Sequence, residues 1–183
     1  KKKSAIGSDN QKIGDLYHSY MDTNRLEELG TKNLEQEMDK ISAIKDLSDL
    51  SEYMAYADIF TTAPFGVYVY IDSKNPDEHV TYLSQSGLGL PNRGYYMDDD
   101  DKSKNIRKEY ISHVSKMFQL YGMKNSDNLA KTVINIETRL AMFHWKKEKN
   151  RDPVLTYNSS TMNELRSILP ELDWDRWILG TEI

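Results

Sequence analysis

A turn-rich passage in the middle of the chain, residues 85–96, is the feature that most limits how this sequence can fold. Within eight residues it places Gly87, Gly89, Pro91 and Gly94, which interrupt regular secondary structure. The same passage carries two leucines and two tyrosines, namely Leu88, Leu90, Tyr95 and Tyr96. Because a flexible linker would carry no such apolar groups, we expect an ordered loop with Leu88, Leu90 and at least one of the tyrosines largely buried.

Composition limits the class of protein. The 183 residues are 38% hydrophobic and 29% charged, enough for the core of one domain or for a piece of a larger one. The 29 acidic and 24 basic residues are mixed along the chain and give a net charge of −5. No basic stripe results, so nucleic acid is not expected as a partner. The absence of cysteine excludes disulfides, cysteine-ligated zinc and a cysteine nucleophile.

The sequence contains no predicted membrane span. No apolar run reaches the ~18 residues that a transmembrane helix needs. Three lysines begin the chain, but no apolar stretch follows them, so they do not predict a signal peptide. The first residue is not Met and the final residues, 177–183, are largely apolar, so we expect a segment of a longer protein.

Helical periodicity precedes the turn-rich passage. Four apolar patterns with the spacing of one helix face cover residues 8–21, 25–29, 33–44 and 47–60. Ser8 is a suitable N-cap and Gly30 a suitable helix end. The later patterns, joined by short polar connections, predict antiparallel neighbours, and Ala55 and Ala57 are expected to mark a close helix contact.

A β-hairpin is predicted next. Residues 65–71 are β-branched and aromatic, residues 72–77 have turn chemistry, and residues 79–83 form the return strand. Since an isolated hairpin is marginally stable in water, it must pack on the helices or pair with another part of the protein.

Two longer helices and a short one follow. The first is predicted to end at Gly122, and the second to run from Ser126 to a charged passage at residues 146–152. Their apolar seams predict a helical hairpin. Residues 161–164 have the form of a capping box before a further helix. The expected fold class is mainly α, a helical bundle-like lobe with one antiparallel β-hairpin.

Several polar residues are candidates for chemistry, each with a structural alternative. The run from Asp98 to Asp101 suits a helix start, and a cation site is the alternative. Glu109 and His113 lie one helical turn apart, but two ligands do not make a zinc site. His144 is expected near a helix end, where a partly protonated imidazole suits the helix dipole. His18 and His79 belong to no recognisable motif.

Other binding motifs are weak or absent. The sequence has no G-x-S-x-G, P-loop, H-E-x-x-H or dinucleotide fingerprint, and Gly87 and Gly89 match a phosphate loop poorly. Tyr95 and Tyr96 could stack on a ligand, although buried core is favoured. Asn158 begins a glycosylation sequon that matters only in a eukaryotic secretory setting. The residues themselves therefore assign no catalytic, cofactor-binding or metal-binding position.

The turn-rich passage also resembles a known signature. Residues 88–96, with Gly87 before them, are similar to the G-L-x-L-P-x-R-x-Y-Y motif of the neprilysin and endothelin-converting-enzyme family of zinc metalloendopeptidases. Gly94 departs from the family, in which an acidic residue is common at that position. Further motif residues occur in the family's order from about Tyr17 to Trp177: Asp72, Lys74, Asn75, Gln85, Tyr110, His113, 120–122, Glu137, Leu140, Ala141, Arg151, Asp152, Tyr157, Asn158, Thr161 and Trp174.

The resemblance implies that residues 1–183 are a partial N-terminal helical domain, part of the cap lobe that encloses the substrate chamber and restricts substrates to peptides. It implies zinc in the parent enzyme, with the zinc ligands, the catalytic Glu and the substrate-binding residues downstream of this chain. No site residue is therefore carried over, and the segment alone is expected to be inactive. Its expected partners are peptide substrates and the missing catalytic lobe.

Two further expectations concern context. The missing cysteines suggest a bacterial member, for which the resemblance favours export to the periplasm or the exterior, with a lipid anchor upstream of Lys1 as one arrangement and a cytoplasmic location as another. The alternative function is a non-catalytic helical module that binds peptides or proteins. A polar surface would favour that module, and a large exposed apolar face would favour a part of a larger enzyme.

Overall fold

The computed structural model describes residues 4–181, which form ten helices and a two-stranded sheet. Residues 1–3 and 182–183, including the initial lysines and the last apolar residue, lie outside the described part. The chain divides into two compact units, Lys1–Lys40 and Ile41–Ile183, each of which is described by itself. The mainly helical fold class with one antiparallel hairpin is confirmed.

The first unit holds α1 (Asp9–Tyr20), α2 (Thr23–Leu29) and most of α3 (Lys32–Ala43). The Ser8 side chain caps α1 by accepting a hydrogen bond from the Gln11 backbone N–H, as predicted. Gly30 ends α2 with a φ of 53°, a conformation that glycine adopts without a steric penalty. None of the described residues in α1, α2 and α3 is buried.

The second unit continues with α4 (Leu47–Asp58) and the hairpin of β1 (Phe65–Ile71) and β2 (His79–Gln85). The strands pair antiparallel from Phe65 opposite Gln85 to Ile71 opposite His79. Asp58, at the end of α4, accepts a hydrogen bond of 2.8 Å from the backbone N–H of Val67. The hairpin is therefore fastened to the preceding helix along the outer edge of β1.

The remaining helices follow the turn-rich passage. They are α5 (Gly94–Met97), α6 (Asp101–Leu120), α7 (Ser126–Phe143), α8 (Lys147–Asn150), α9 (Met162–Ile168) and α10 (Trp174–Thr181). The helices α6 and α7 pack together as the predicted helical hairpin. The capping box at α9 is formed, because Thr161 and Glu164 exchange hydrogen bonds between side chain and backbone.

One core cluster joins α4, α10 and the hairpin. It contains Ala55, Trp174 and Trp177, with Phe65 and Val67 of β1 packed against it. Gly180 of α10 lies so close to α4 that an added Cβ would overlap the carbonyl oxygen of Glu52 and lie 3.0 Å from the Ala55 Cβ. The expected close helix contact at Ala55 is therefore confirmed, and Ala57 is also buried.

One local prediction was wrong, and two features of the fold were missed. The charged passage at residues 146–152 forms the separate helix α8, whereas α7 already ends at Phe143. The helix α10 was not predicted, because Trp174 and Trp177 alone gave too short an apolar pattern. The helix that packs most extensively on α4 is α10, and the sequence had suggested only its chain neighbours as partners.

Candidate functional site

The turn-rich passage, here called the junction loop (residues 85–96), packs onto the helical hairpin. Leu90 and Tyr96 are buried and form a cluster with Ala141 of α7. Leu88 and Tyr95 are half-buried at the edge of this cluster. The loop is therefore ordered and its apolar residues carry packing contacts, as the sequence predicted, although Leu88 is less buried than expected.

A carboxylate flanked by two tyrosines lies at the centre of the loop contact. Tyr96 donates a hydrogen bond of 2.7 Å to Oε2 of Glu137, and Tyr110 donates one of 2.9 Å to Oε1. The Tyr96 hydroxyl also accepts a hydrogen bond of 2.8 Å from the Leu90 backbone N–H. Three segments, the junction loop, α6 and α7, therefore meet at one carboxylate.

Burial and the adjacent carboxylate shift the titration of both phenols. Desolvation, followed by the hydrogen bond to Glu137, raises the pKa of Tyr110 to about 12. The same causes, in the same order, raise the pKa of Tyr96 well above its usual range. Both tyrosines are therefore neutral donors at physiological pH, which suits a structural role in orienting Glu137 rather than a role as general base.

Gly89 permits this arrangement by its size. A Cβ at this position would overlap the Tyr110 hydroxyl and lie 2.7 Å from Cζ of the same ring. The glycine therefore belongs to packing, and no phosphate-loop geometry is involved. Gly87, with a φ of 85°, supplies the turn that brings the loop against Pro64.

The loop also contacts the end of α7. The Gln85 side chain accepts a hydrogen bond of 2.8 Å from the Trp145 backbone N–H and donates one of 3.4 Å to the Trp145 carbonyl. Between the loop and residues 144–150 lies an open cavity of about 780 Å³. Lys149 places its ammonium group 3.6 Å from the centroid of the Trp145 ring.

His144 follows α7 directly and lines this cavity. Its position at a helix end is as predicted, but its charge is not. Burial lowers the pKa of His144, and the hydrogen bond with the Ser86 backbone opposes this shift only in part. This shift runs against the expected partly protonated imidazole, because desolvation outweighs the hydrogen bond that favours the charged form.

The acidic run is a helix start. Asp100 caps α6 by accepting a hydrogen bond of 3.0 Å from the Ser103 backbone N–H, and Asp101 lies in the first turn. Hydrogen bonds from Ser103 lower the pKa of Asp100. Asp99 forms an ion pair of 2.9 Å with Lys104. The helix-start interpretation is therefore confirmed.

Glu109 and His113 are both exposed on α6, and Glu109 accepts a hydrogen bond from Asn105. Across residues 4–181, no group of three or more His, Asp and Glu side chains could hold a metal ion. The described residues therefore do not fit a zinc site. Within the same range, no helix combines the length and apolar character needed to cross a membrane.

A second cluster ties the hairpin turn to the segment before α9. The Asp72 carboxylate accepts hydrogen bonds from the backbone N–H groups of Lys74 and Asn75, at 2.6 and 3.0 Å, and from the Tyr157 hydroxyl at 3.1 Å. The Lys74 ammonium lies 4.0 Å from the centroid of the Tyr157 ring. Asn158, the possible glycosylation site, is exposed beside this cluster.

Motif residues that the resemblance brought out are thus joined in space. Glu137 meets Tyr96 and Tyr110, Asp72 meets Tyr157, and each pair lies far apart in sequence. The sequence marked these residues singly and did not show which of them would meet.

Comparison with known proteins identifies the family. A family model for the N-terminal region, described as "Peptidase family M13", matches residues 1–182. This chain belongs to peptidase family M13. M13 is a family of zinc metallopeptidases, so the suspected membership of the neprilysin and endothelin-converting-enzyme group is confirmed.

Relatives and solved structures agree with this M13 assignment. Endothelin-converting enzyme 1 of Rattus norvegicus is 30% identical over 182 residues, which cover 93% of this chain and 24% of that protein. The Homo sapiens enzyme is 28% identical over 181 residues, covering 93% of this chain and 23% of that protein. The chain therefore spans about a quarter of the length of these relatives.

The zinc metalloprotease Zmp1 of Mycobacterium tuberculosis has the same fold over this region. Its structure with an inhibitor superimposes with a TM-score of 0.83 at 33% identity, over 97% of this chain and 27% of that one. Its open state gives a TM-score of 0.81 at 33% identity, over 98% of this chain and 28% of that one. The M13 chain described here therefore shares the backbone of a zinc metalloprotease segment.

Proposed function

We propose that this chain is part of the cap lobe of an M13 zinc metalloendopeptidase that hydrolyses peptides. The observation that carries the proposal is the agreement with Zmp1 over 97% of this chain at 33% identity. In this proposal residues 1–183 are a partial N-terminal helical domain, and the catalytic domain lies elsewhere in the parent protein.

The structural roles of the motif residues support this assignment. Glu137, Asp72 and Gln85 each use their polar atoms to join distant segments of the second unit. Residues that join distant segments in this way hold the fold of the second unit in one shape. The shape proposed here is one wall of a chamber that admits peptides and excludes folded proteins, so that this segment restricts substrate size without touching the reacting bond.

Exposed apolar side chains support a larger assembly with the catalytic lobe as partner. In the first unit, Leu16 and Tyr20 of α1 are 72% and 79% exposed. In the second unit, Phe143, Val154 and Ile168 are all more than two-thirds exposed. A contiguous exposed apolar patch marks a surface that another element covers, and these side chains are the candidates for such a patch. They count against the alternative of a stand-alone binding module, which would be expected to have a polar surface.

The metal belongs to the parent enzyme in this proposal. Because no group of metal-ligating side chains is found across residues 4–181, the zinc ligands are assigned outside them and no step of hydrolysis is derived for this segment. We further propose export to the periplasm or exterior, where a bacterial peptidase would meet peptide substrates.

The test compares two proteins. The 183-residue chain and the complete parent reading frame are purified, their zinc content is measured by mass spectrometry, and turnover of a fluorogenic peptide is followed with and without a chelator. We expect one zinc per molecule and chelator-sensitive cleavage in the parent alone. Zinc-dependent turnover by the 183-residue chain, or a reading frame that stops shortly after Ile183, would refute the proposal.

A further inference from the structure

The outer edge of β2 has free backbone groups. In an antiparallel pair, residues alternate between those bonded to the partner strand and those whose N–H and C=O point away. The bonds from Asp72 N–H to the Glu78 carbonyl and from Ser86 N–H to the Pro64 carbonyl fix this alternation at both ends of the hairpin. The backbone groups of Thr81 and Leu83 consequently point outward, as do those of His79 and Gln85 at the two ends of β2.

The two edges of the hairpin differ. On β1, the outward N–H of Val67 is already satisfied by Asp58. On β2, the outward backbone groups of Thr81 and Leu83 have no hydrogen-bond partner within residues 4–181. Two adjacent outward residues of this kind offer two donors and two acceptors, which is the template that an additional strand requires.

This free edge lies along a groove. A cavity of about 580 Å³ is lined by consecutive β2 residues on one side and by residues 156–160 on the other. Because strand side chains alternate between faces, consecutive lining residues mean that the backbone edge itself forms the wall. The volume falls within the range of about 300–1,000 Å³ that is usual for ligand sites.

The floor of the groove is apolar. Trp177 and Ile178 of α10 line it, together with Met162 and Leu165 of α9. Asp72 is the only ionisable acid or base among the lining side chains other than tyrosine, and hydrogen bonding to the Lys74 backbone lowers its pKa, so it is negatively charged. The groove therefore suits a neutral or cationic occupant and disfavours an acidic one.

We propose that this groove binds an extended peptide, neutral or cationic, that pairs with the edge at Thr81 and Leu83 and places an apolar side chain over Trp177 and Ile178. Strand addition of this type takes its affinity from main-chain hydrogen bonds and its specificity from the pocket for alternate side chains. A second copy of the chain is the competing occupant, and residues 156–160, which line the same cavity as the edge, favour a short peptide over it. The proposal does not depend on the peptidase assignment.

The first experiment varies the peptide and leaves the protein unchanged. The probe is the acetylated and amidated pentapeptide Thr-Val-Phe-Val-Thr, titrated into the 183-residue chain by calorimetry. Two further forms carry backbone N-methyl groups, either on both valines or on the other three residues. Since alternate N–H groups of an added strand face the edge, we expect one methylated form to bind at least tenfold more weakly and the other to keep its affinity. Equal behaviour of the two forms would overturn the proposal, as would tight binding of a form with Asp in place of Phe.

The second experiment varies the edge. Thr81→Pro removes an outward N–H without removing a bond of the hairpin, and Val69→Pro does the same on the opposite edge, since Val69 lies directly across from Thr81. We expect at least tenfold weaker peptide binding for Thr81→Pro and unchanged binding for Val69→Pro, with circular dichroism as the check on folding.

Unchanged binding in Thr81→Pro would refute the site. If that variant fails to fold, the difference in affinity between the two methylated peptides decides whether the site exists. Concentration-dependent dimerisation that Thr81→Pro abolishes, without peptide binding to the original chain, would assign the edge to a second copy and overturn the peptide as occupant. Since no turnover is measured, failure here leaves the peptidase proposal unaffected.

Discussion

Tyr96 and Glu137 lie 41 positions apart in sequence and are joined by a hydrogen bond of 2.7 Å that fixes the junction loop to α7. The same hydroxyl accepts the Leu90 N–H, so one oxygen atom links the loop to itself and to the helix. Removal of the Tyr96 hydroxyl is therefore expected to affect more than one contact.

Tyr96→Phe is predicted to lower the free energy of unfolding by about 2–3 kcal/mol, because it breaks a bond to a carboxylate and leaves the Leu90 N–H unsatisfied. Urea denaturation followed by circular dichroism measures the change. Tyr95→Phe is the matched control at the adjacent, half-buried position, with an expected change within about 0.5 kcal/mol. Equal losses in the two variants would contradict the assigned role of the Tyr96 hydroxyl.

Stability is predicted to fall in alkali because of Tyr110. The pKa of this phenol is raised from 10.0 to about 12 in the folded protein, first by burial and then by Glu137. The folded state therefore holds the proton more tightly than the unfolded state does. The resulting stabilisation is complete below pH 10, and it is lost as the pH rises through 12.

Urea titrations between neutral pH and pH 12 test this dependence. Tyr110→Phe should show a shallower alkaline loss than the original protein, whereas Tyr70→Phe, at an exposed position of β1, should not differ from it. An unchanged alkaline slope in Tyr110→Phe would show that another group is responsible.

Gly180→Ala is predicted to destabilise the second unit by about 1–3 kcal/mol, because the added methyl group overlaps the Glu52 carbonyl and forces α4 and α10 apart. Gly14→Ala, within α1, is the control, since its Cβ would meet nothing within 4 Å. That change should stabilise its helix by about 0.5–1 kcal/mol. Thermal unfolding of both variants tests the contrast, which fails if the two shifts have the same sign.

Asp72 and Tyr157 are predicted to act as a unit. Asp72→Asn and Tyr157→Phe should each lower the melting temperature, and the double variant should lose less than the sum of the two. Hydrogen bonding to the Lys74 backbone lowers the pKa of Asp72 below 3.8, so this contribution is present above that pH and is lost as the pH falls through the lowered pKa. Additive effects, or an Asn variant with an unchanged acid transition, would argue against the pair.

Local structure was largely predictable from the sequence. Ser8, Gly30 and Thr161 act through hydrogen bonds and dihedral angles within their own helix ends, so short-range patterns suffice to place them. The hairpin was predicted for the same reason, since its strands are adjacent in the chain. The contact of α4 with α10 was not predicted, because it joins residues more than 100 positions apart in the sequence. The small size of these residues matters only where the two helices meet.

For the candidate sites, the sequence showed the types of residue but not the surroundings that each residue has in the folded protein. His144 has the sequence position of a cationic helix end, yet desolvation by burial in the folded protein lowers its pKa. The groove beside β2 was also beyond the sequence, because it is formed by β2, residues 156–160 and α10. Nothing in the local pattern of Thr81 or Leu83 indicates which edge of the hairpin stays free.

The sequence by itself determined most of the helices, the hairpin, the turn-rich passage and, through its motifs, the M13 family, because these depend on residue type and on spacing along the chain. Only the tertiary structure decided that Glu137 receives both Tyr96 and Tyr110 and that Gly89 must be small to allow it. The physical reason is that hydrogen bonds, steric limits and desolvation act over a few ångströms in space. They take effect only where folding brings distant residues together.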